Sequence, residues 1–416
     1  MNVRLEKNNL RKVNITAITS KSYVHRLLIA AALSEGGCTI RSNIVSKDME
    51  ATVRVLTEMG AEIEIKEDGT GILFIVRKGI GRGIECALDC GESGSTARFI
   101  LPVALASSMK AKLTGSGKLP GRPMGDLVQV LREHGGEIDS EAVPLYAKGQ
   151  LSYGDYRLPG NVSSQYITGL LFALPLLGGD SRIILTSGLE SSDYVKMTVD
   201  VLTKFGVSII CNNDTYVIKG NQKYVSVPEI TAEGDWSNGG YLLCMGFLSG
   251  NIDVDGLNMD SIQGDRAVFE ILSQFNEGPV SVDGRNIPDI IPALCMVAAY
   301  TEGMSVFRNV ERLRIKECDR IDAVINILSL IGVRASSCMR DGHEDLYVTG
   351  KGRNADKITD VIRSDSYNDH RMVMCLSMIA FMENCPVIIE RAEAVNKSYP
   401  GFFDVIEETG IRVTKE

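Results

Sequence analysis

Apolar residues along this chain fall into two alternating patterns. Each closes on glycine or a polar pair and is followed by a strand-like run. In the first pattern a small or polar start leads into a body that is apolar nearly all round. It recurs at 20–36, 91–108, 161–179, 235–250, 288–303 and 366–384. A helix that is apolar on every side belongs in a core, so six buried helices are expected. Runs such as Ala111-Lys112-Leu113-Thr114 and Arg182-Ile183-Ile184-Leu185 follow them as strands. In the second pattern apolar residues sit at i, i+3 and i+4, the stripe of an amphipathic helix. It runs over 51–59, 127–134, 195–205, 321–331 and 402–409, with a weaker copy at 267–275. Gly60, Gly135, Gly206, Gly278, Gly332 and Gly410 stand where these helices should stop.

The intervals between successive stop glycines are 75, 71, 72, 54 and 78 residues. Each interval accommodates two helices and about four strands, enough for a layered α/β unit. Any α/β protein alternates helix and strand. The doubling of helix types and the even spacing instead favour a true sixfold repeat. Three units make a plausible domain. The expected domains are 19–234, and 1–18 together with 235–416. The third unit ends near Pro228, Glu233-Gly234-Asp235 reads as a crossover, and the strand-like tail 1–18 can complete the far domain. Two domains closing on each other would put a site in the cleft between them.

Composition narrows the function. A chain of 416 residues suits two to three domains. An apolar content of 44% and a charged content of 23% are those of a soluble globular protein. The net charge of −9 argues against nucleic-acid binding but leaves room for a local basic pocket. The ten cysteines are scattered, several inside apolar runs (Cys244, Cys295, Cys375), as expected of buried thiols in a reducing cytoplasm. No Cys-x-x-Cys pair occurs and the four histidines lack ligand spacing, so no structural zinc is expected. The start of the chain lacks the apolar core of a signal peptide. The apolar runs fall short of the ~20 residues that span a bilayer, so no membrane partner is expected. Gly115-Ser116-Gly117-Lys118-Leu119 lacks the first Gly and the Ser/Thr of a P-loop, and Gly79-Ile80-Gly81-Arg82-Gly83 has the wrong spacing for a dinucleotide loop.

The starts of the buried helices carry the candidate chemistry. They hold Lys21, Ser22, His25 and Arg26; Glu92, Ser93, Gly94, Ser95, Thr96 and Arg98; Ser163, Ser164 and Gln165; Asp289; and Asp369, His370 and Arg371. Polar groups on otherwise apolar helices are costly unless they pair or bind something. A helix N-terminus also presents free N–H groups to an anion. Ser163 alone could simply cap its helix; several such starts together point to a ligand. Gly117-Lys118-Leu119-Pro120-Gly121-Arg122-Pro123 sets Arg122 on a constrained turn. In Arg312-Leu313-Arg314-Ile315-Lys316-Glu317-Cys318-Asp319-Arg320, Arg312, Lys316 and Arg320 are four apart and on a helix would share one face. Lys397 adds a further cation. These groups suit small, multiply anionic substrates, and Asp289 and Glu317 are available for acid–base work.

In this order the motifs resemble the 5-enolpyruvylshikimate-3-phosphate synthase (3-phosphoshikimate 1-carboxyvinyltransferase) family over essentially the whole chain. They are Lys21-Ser22-x-x-x-Arg26, Gly91-x-x-Gly94-Ser95-x-x-Arg98, Gly121-Arg122-Pro123, Val162-Ser163-Ser164-Gln165, Ser191-x-x-Tyr194 and Glu233-Gly234-Asp235. They continue with Ile287-Pro288-Asp289, Lys316-Glu317-x-Asp319-Arg320, Tyr367-Asn368-Asp369-His370-Arg371-Met372 and Lys397-x-x-Pro400. The resemblance implies an α/β fold of two domains, each of three repeated units with buried helices and outer sheets, an inside-out α/β barrel. It implies transfer of the enolpyruvyl group of phosphoenolpyruvate to the 5-hydroxyl of shikimate 3-phosphate, releasing phosphate on the route to chorismate and the aromatic amino acids. It implies no cofactor, and a cytoplasmic monomer is expected. By position, Lys21, Ser22, Arg26, Ser163, Ser164, Ser191 and Lys316 would hold shikimate 3-phosphate, with Tyr194 near its ring. Lys21, Gly94, Arg122, Gln165, Arg320, Arg371 and Lys397 would hold phosphoenolpyruvate, with His370 beside them. Asp289 would take the hydroxyl proton, and Glu317, with Lys21, would deliver one to the methylene carbon.

Two positions depart from the family pattern: Glu92 stands where Asn is usual, and Arg312 where many members have Asn. Both leave sensitivity to glyphosate open. A sister enolpyruvyl transferase acting on a UDP-amino sugar would be expected to carry a cysteine in the loop 117–122, which has none. An inactive phosphate-binding relative would be expected to have lost Asp289, Glu317 or Lys21, and all three are present.

Overall fold

The computed structural model describes residues 1–212 and 214–416. Two compact units emerge, Thr19–Glu233, and Met1–Ile18 joined with Gly234–Glu416. Gly234, expected with the first, belongs to the second. A Cβ on it would lie 2.2 Å from the carbonyl oxygen of Gly256 and 3.5 Å from Ala17, so it packs on that unit's backbone.

In Thr19–Glu233 six helices alternate in character: α1 (Lys21–Leu33), α2 (Lys47–Glu58), α3 (Gly94–Ala106), α4 (Gly125–Glu133), α5 (Ser164–Ala173) and α6 (Ser192–Lys204). The uniformly apolar α1, α3 and α5 are inside. Every residue of α5 except Gln165 is buried. The amphipathic helices bury only a stripe, in α4 Leu127, Val128, Val130 and Leu131. This difference is the one the two sequence patterns imply, because burial follows apolar surface.

Each repeat runs strand, inner helix, strand, outer helix, hairpin. In one, Glu85–Asp89 lies parallel to Lys110–Thr114, which pairs antiparallel with Leu145–Gly149, which pairs in turn with Gly136–Ile138. Asp155–Leu158, Ser181–Leu185, Thr215–Ile218 and Ile209–Asn212 repeat that order. In the repeat holding α1, the leading strand comes from the far end of the unit: Glu229–Thr231 lies parallel to Cys38–Ser42, with Ile230 opposite Ile40.

The second unit holds α7 (Trp236–Ser249), α8 (Val268–Phe275), α9 (Ile291–Ala299), α10 (Arg320–Leu330), α11 (His370–Met382) and α12 (Phe402–Glu408). Here α7, α9 and α11 pack against one another, and α9 and α11 are buried along their whole length. The N-terminal tail completes two sheets. Val3–Lys7 sits antiparallel between Val387–Glu390 and Ile411–Lys415, and Val13–Thr16 lies parallel to Ile252–Asp255. That last sheet has two strands, where about four were expected of every repeat. The reason is length: α8 ends at Phe275 and the next strand starts at Ser281, so no hairpin fits between them. The short interval of 54 residues is this missing hairpin.

All six stop glycines have positive φ, from +72° at Gly332 to +139° at Gly278. A side chain there costs about 1–2 kcal/mol from backbone conformation alone. At Gly332 a Cβ would meet nothing within 4 Å, whereas at Gly410 it would stand 1.8 Å from the carbonyl oxygen of Asn9. Gly332→Ala is therefore expected to cost only the conformational amount in urea unfolding. Gly410→Ala should cost clearly more, because the backbone carrying Val3–Lys7 must move. Equal effects would show that contact with the N-terminal tail does not matter.

Candidate active site

In the unit Met1–Ile18 with Gly234–Glu416, the chemistry gathers on Arg320. Asp289 lies in the turn that leads into α9. The cationic run 312–320 is not one helix. Glu311–Ile315 forms a 3-10 turn, the next residues are non-helical, and Arg320 opens α10. The expected shared helical face is thus absent. Asp319 breaks the path by capping α10, accepting from the amides of Ile321 and Asp322 at 3.1 and 3.2 Å. The loop still brings the cations together: Nη1 of Arg320 donates to Oδ1 of Asp289 at 2.7 Å, and Nζ of Lys316 to the same oxygen at 3.3 Å.

Arg320 is 1% exposed. Besides Asp289 it donates through Nη2 to Oε2 of Glu317 at 2.9 Å and through Nε to Oδ2 of Asp369 at 2.8 Å. A guanidinium is a planar fork of five donors, so it can hold three carboxylates in one arrangement. These carboxylates raise its pKa against the opposing effect of burial. Burial pulls the Lys316 ammonium below its ordinary value, with Asp289 acting against the shift. Asp369 also caps α11, accepting from the amide of Arg371 at 2.8 Å.

Arg371 is buried and lies over the ring of Tyr241, 5.3 Å from its centroid. Its Nη1 donates to the carbonyl of Ser237 at 3.1 Å and to Oδ1 of Asn238 at 3.2 Å. His370, the first residue of α11, is buried beside Asp369, Nδ1 to Oδ1 3.7 Å. Lys397 reaches back to the carbonyl of Asn368 at 2.8 Å. Tyr367 and Asn368 both have φ of +56°, so the chain turns sharply into α11.

The unit Thr19–Glu233 carries two clusters of its own. In one, Arg26 is buried between the rings of Phe99 and Tyr194, its carbon 5.2 and 5.9 Å from their centroids. It donates to Oγ1 of Thr198 and to the carbonyls of Ser22 and Tyr194, all neutral acceptors. Burial lowers its pKa to about 10, so it stays charged at neutral pH. Lys21 pairs with Asp48 at 2.7 Å. Neighbouring His25 is buried, bonded to Thr52 at 2.6 Å, and lowered to about 3 by desolvation. It is therefore neutral at pH 7.

In the second cluster, Nη1 of Arg98 donates to Oε1 of Gln165 at 2.6 Å, and Nε2 of Gln165 donates to Oγ of Ser95 at 2.9 Å. Both polar ends of the amide are thereby fixed. A Cβ on Gly94 would stand 2.8 Å from Nη1 of Arg122 and 3.2 Å from Nη1 of Arg98. Gly94 leaves two guanidinium groups and an amide side by side. Ser163 caps α5, accepting from the amide of Gln165 at 3.3 Å, and Ser164 is buried beside it. Ser191 precedes α6 with φ of +54°, a conformation that non-glycine residues hold only when their surroundings impose it. Glu92 extends over Gly117, where a Cβ would meet its carboxyl at 2.4 Å.

Sequence reasoning missed Asp48 and Asp369 as partners. Asp369 lies inside a family motif, but nothing in the sequence marks Asp48 as the counter-ion of Lys21. Among the described residues no group of three or more His, Cys, Asp or Glu could hold a metal, and no helix is long and apolar enough to cross a membrane.

The fold recurs in solved enolpyruvyl transferases. EPSP synthase from Acinetobacter baumannii superposes with a TM-score of 0.80 over 100% of both chains at 23% identity. The enolpyruvyl transferase NikO from Streptomyces tendae does so with a TM-score of 0.76, over 99% of this chain and 98% of that one, at 17% identity. The architecture is thus that of an enolpyruvyl transferase. The family model for EPSP synthase (3-phosphoshikimate 1-carboxyvinyltransferase) matches residues 6–406. The 3-phosphoshikimate 1-carboxyvinyltransferase of Clostridium novyi (strain NT) is 38% identical over 94% of this chain and 93% of its own length. That of Clostridium acetobutylicum is 37% identical over 96% and 95%. The chain belongs to the EPSP synthase family.

Because Asp369 is fully buried against Arg320, Arg320→Met leaves an uncompensated charge in the core. It should lower the unfolding free energy by about 3–5 kcal/mol, read from urea melts at neutral pH. A loss below 1 kcal/mol would show that the hub does not support the unit.

Proposed function

We propose that the chain transfers the enolpyruvyl group of phosphoenolpyruvate to the 5-hydroxyl of shikimate 3-phosphate and releases phosphate, with both small molecules as its substrates. The observation that carries this reading is the attachment of Asp289 and Glu317 to one guanidinium, that of Arg320. The reaction needs a base and an acid held at fixed separation. The methylene carbon must gain a proton for the adjoining carbon to accept an alcohol oxygen.

In this proposal Asp289 takes the hydroxyl proton as the new C–O bond forms, and Glu317, with Lys21, protonates the methylene carbon to a methyl group. Loss of a proton from that methyl group then restores the double bond as the C–O bond to phosphate breaks. Arg26, Lys21, Ser22, Ser163, Ser164, Ser191 and Lys316 hold shikimate 3-phosphate, with Tyr194 against its ring. Gly94, Arg122, Gln165, Arg320, His370, Arg371 and Lys397, again with Lys21, hold phosphoenolpyruvate. The buried Arg26, whose hydrogen-bond partners are all neutral, supports the first set, since a bound phosphate would balance its charge. The paired Arg98 and Arg122 at Gly94 support the second. Cations around the leaving phosphate stabilise the charge that develops there. Groups from both units would serve one reaction. A cytoplasmic setting fits a chain whose ten cysteines are all unpaired.

Phosphate should appear from phosphoenolpyruvate only when shikimate 3-phosphate is added. Appearance with UDP-N-acetylglucosamine instead would reassign the acceptor. Asp289→Ala should keep shikimate 3-phosphate binding by calorimetry and lose roughly a hundredfold or more in turnover. Turnover near that of the wild type would remove Asp289 from the base role.

A further inference from the structure

One buried carboxylate in the C-terminal unit has no part in the chemistry above. Asp265 lies in the 3-10 turn Gly264–Ala267 ahead of α8 and is 2% exposed. The turn is pinned to the start of α7. Gln263 accepts from the amide of Trp236 at 3.2 Å and donates to the carbonyl of Gly234 at 2.8 Å. Asp265 is thereby aimed at Ser237, whose hydroxyl donates to its Oδ2. The backbone carbonyl of the same Ser237 accepts from Nη1 of Arg371 at 3.1 Å. Nη1 also reaches Oδ1 of Asn238, which accepts from Ser398 at 3.3 Å. Oδ1 of Asp265 and Nε of Arg371 are both buried with no hydrogen-bond partner.

We propose that Asp265 is a positioning residue for the anion-binding guanidinium of Arg371, holding it through Ser237. The inference rests on the proposed function, in which Arg371 binds phosphoenolpyruvate. A carboxylate oxygen that accepts from Ser237 fixes the first turn of α7, and with it the carbonyl that orients Nη1. Such anchoring matters because a guanidinium binds an anion well only when its fork is preorganised.

The charged groups facing Asp265 are Asp289, Asp235 at the cap of α7, and Arg371. Burial first, then Asp289, pushes its carboxyl up to about 7, with Ser237 and Arg371 opposing. The ionised carboxylate is the stronger acceptor, so the anchor is firmest above that pH.

The test is steady-state kinetics on the full chain with shikimate 3-phosphate saturating. Asp265→Asn and Ser237→Ala should each raise KM for phosphoenolpyruvate roughly fivefold, the effect of weakening one hydrogen bond. The turnover number should change less than twofold, and calorimetric binding of shikimate 3-phosphate should not change. The ratio of Asp265→Asn to wild-type KM should be larger at pH 8 than at pH 6, a comparison in which the ionisation of phosphoenolpyruvate itself cancels. The double variant should be no worse than the weaker-binding single, because both act through one link. Unchanged KM in Asp265→Asn, a pH-independent ratio, or additive effects would each overturn the proposal. Should Asp265→Asn fail to fold, Ser237→Ala carries the same test through its split of KM from turnover. A wild-type chain that releases no phosphate would sink the proposed function itself, a result distinct from all of these.

Discussion

A guanidinium placed where water cannot reach it needs hydrogen-bond partners inside the protein, and Arg320 finds three carboxylates. Asp289, Glu317 and Asp369 converge on it from the turn before α9, the loop before α10 and the cap of α11. Desolvating such a charge costs several kcal/mol, which is recovered only if the partners are held in the right geometry. The packing of these elements and the pairing of the charges are therefore one condition. The same condition puts a candidate base and a candidate acid on a common support. Cys318, wedged against Asp369, shows the local field: burial and that carboxylate both push its thiol up, away from reactivity.

In the unit Thr19–Glu233, Arg26 is held on the opposite principle. Arg26 is just as buried, yet its donors meet only hydroxyl and carbonyl oxygens and two aromatic faces. Arg98 is spent on the Gln165 amide and the carbonyl of Pro123. Arg320 is offset by carboxylates, Arg26 by dipoles. The first arrangement suits proton transfer, and the second suits holding a substrate that brings its own negative charge.

Repetition explains how such groups come to lie at equivalent places. Each repeat packs one largely apolar helix inside, so its charged residues gather toward the start, where the chain leaves the sheet. Six repeats give six such starts, and Lys21, Gly94, Ser163, Asp289 and His370 all stand at or beside one. The repeat with α7 and α8 lacks the hairpin and borrows Val13–Thr16 as its partner strand. The N-terminal tail thus has a structural duty in a repeat far from it along the chain.

Much of this was legible in the order of residues. Apolar helices with polar starts, amphipathic helices, and stop glycines that prove to have positive φ depend on local chemistry, and local chemistry is written in sequence. The motif residues were legible for the same reason, since each sits at a helix start or a punctuated turn. Pairings over long separations were not. Asp48 with Lys21, Asp369 with Arg320, Arg98 with Gln165 and Asp265 with Ser237 join residues 27, 49, 67 and 28 positions apart. The run 312–320 shows the limit most directly. Its spacing suggested a helix face, but Asp319 takes the capping role and breaks the path, and Lys316 and Arg320 meet at Asp289 across a loop. Side-chain types and spacing determine which elements form. Which charge answers which is decided only when the elements pack, because the energy of a buried pair depends on desolvation and distance that exist in three dimensions alone.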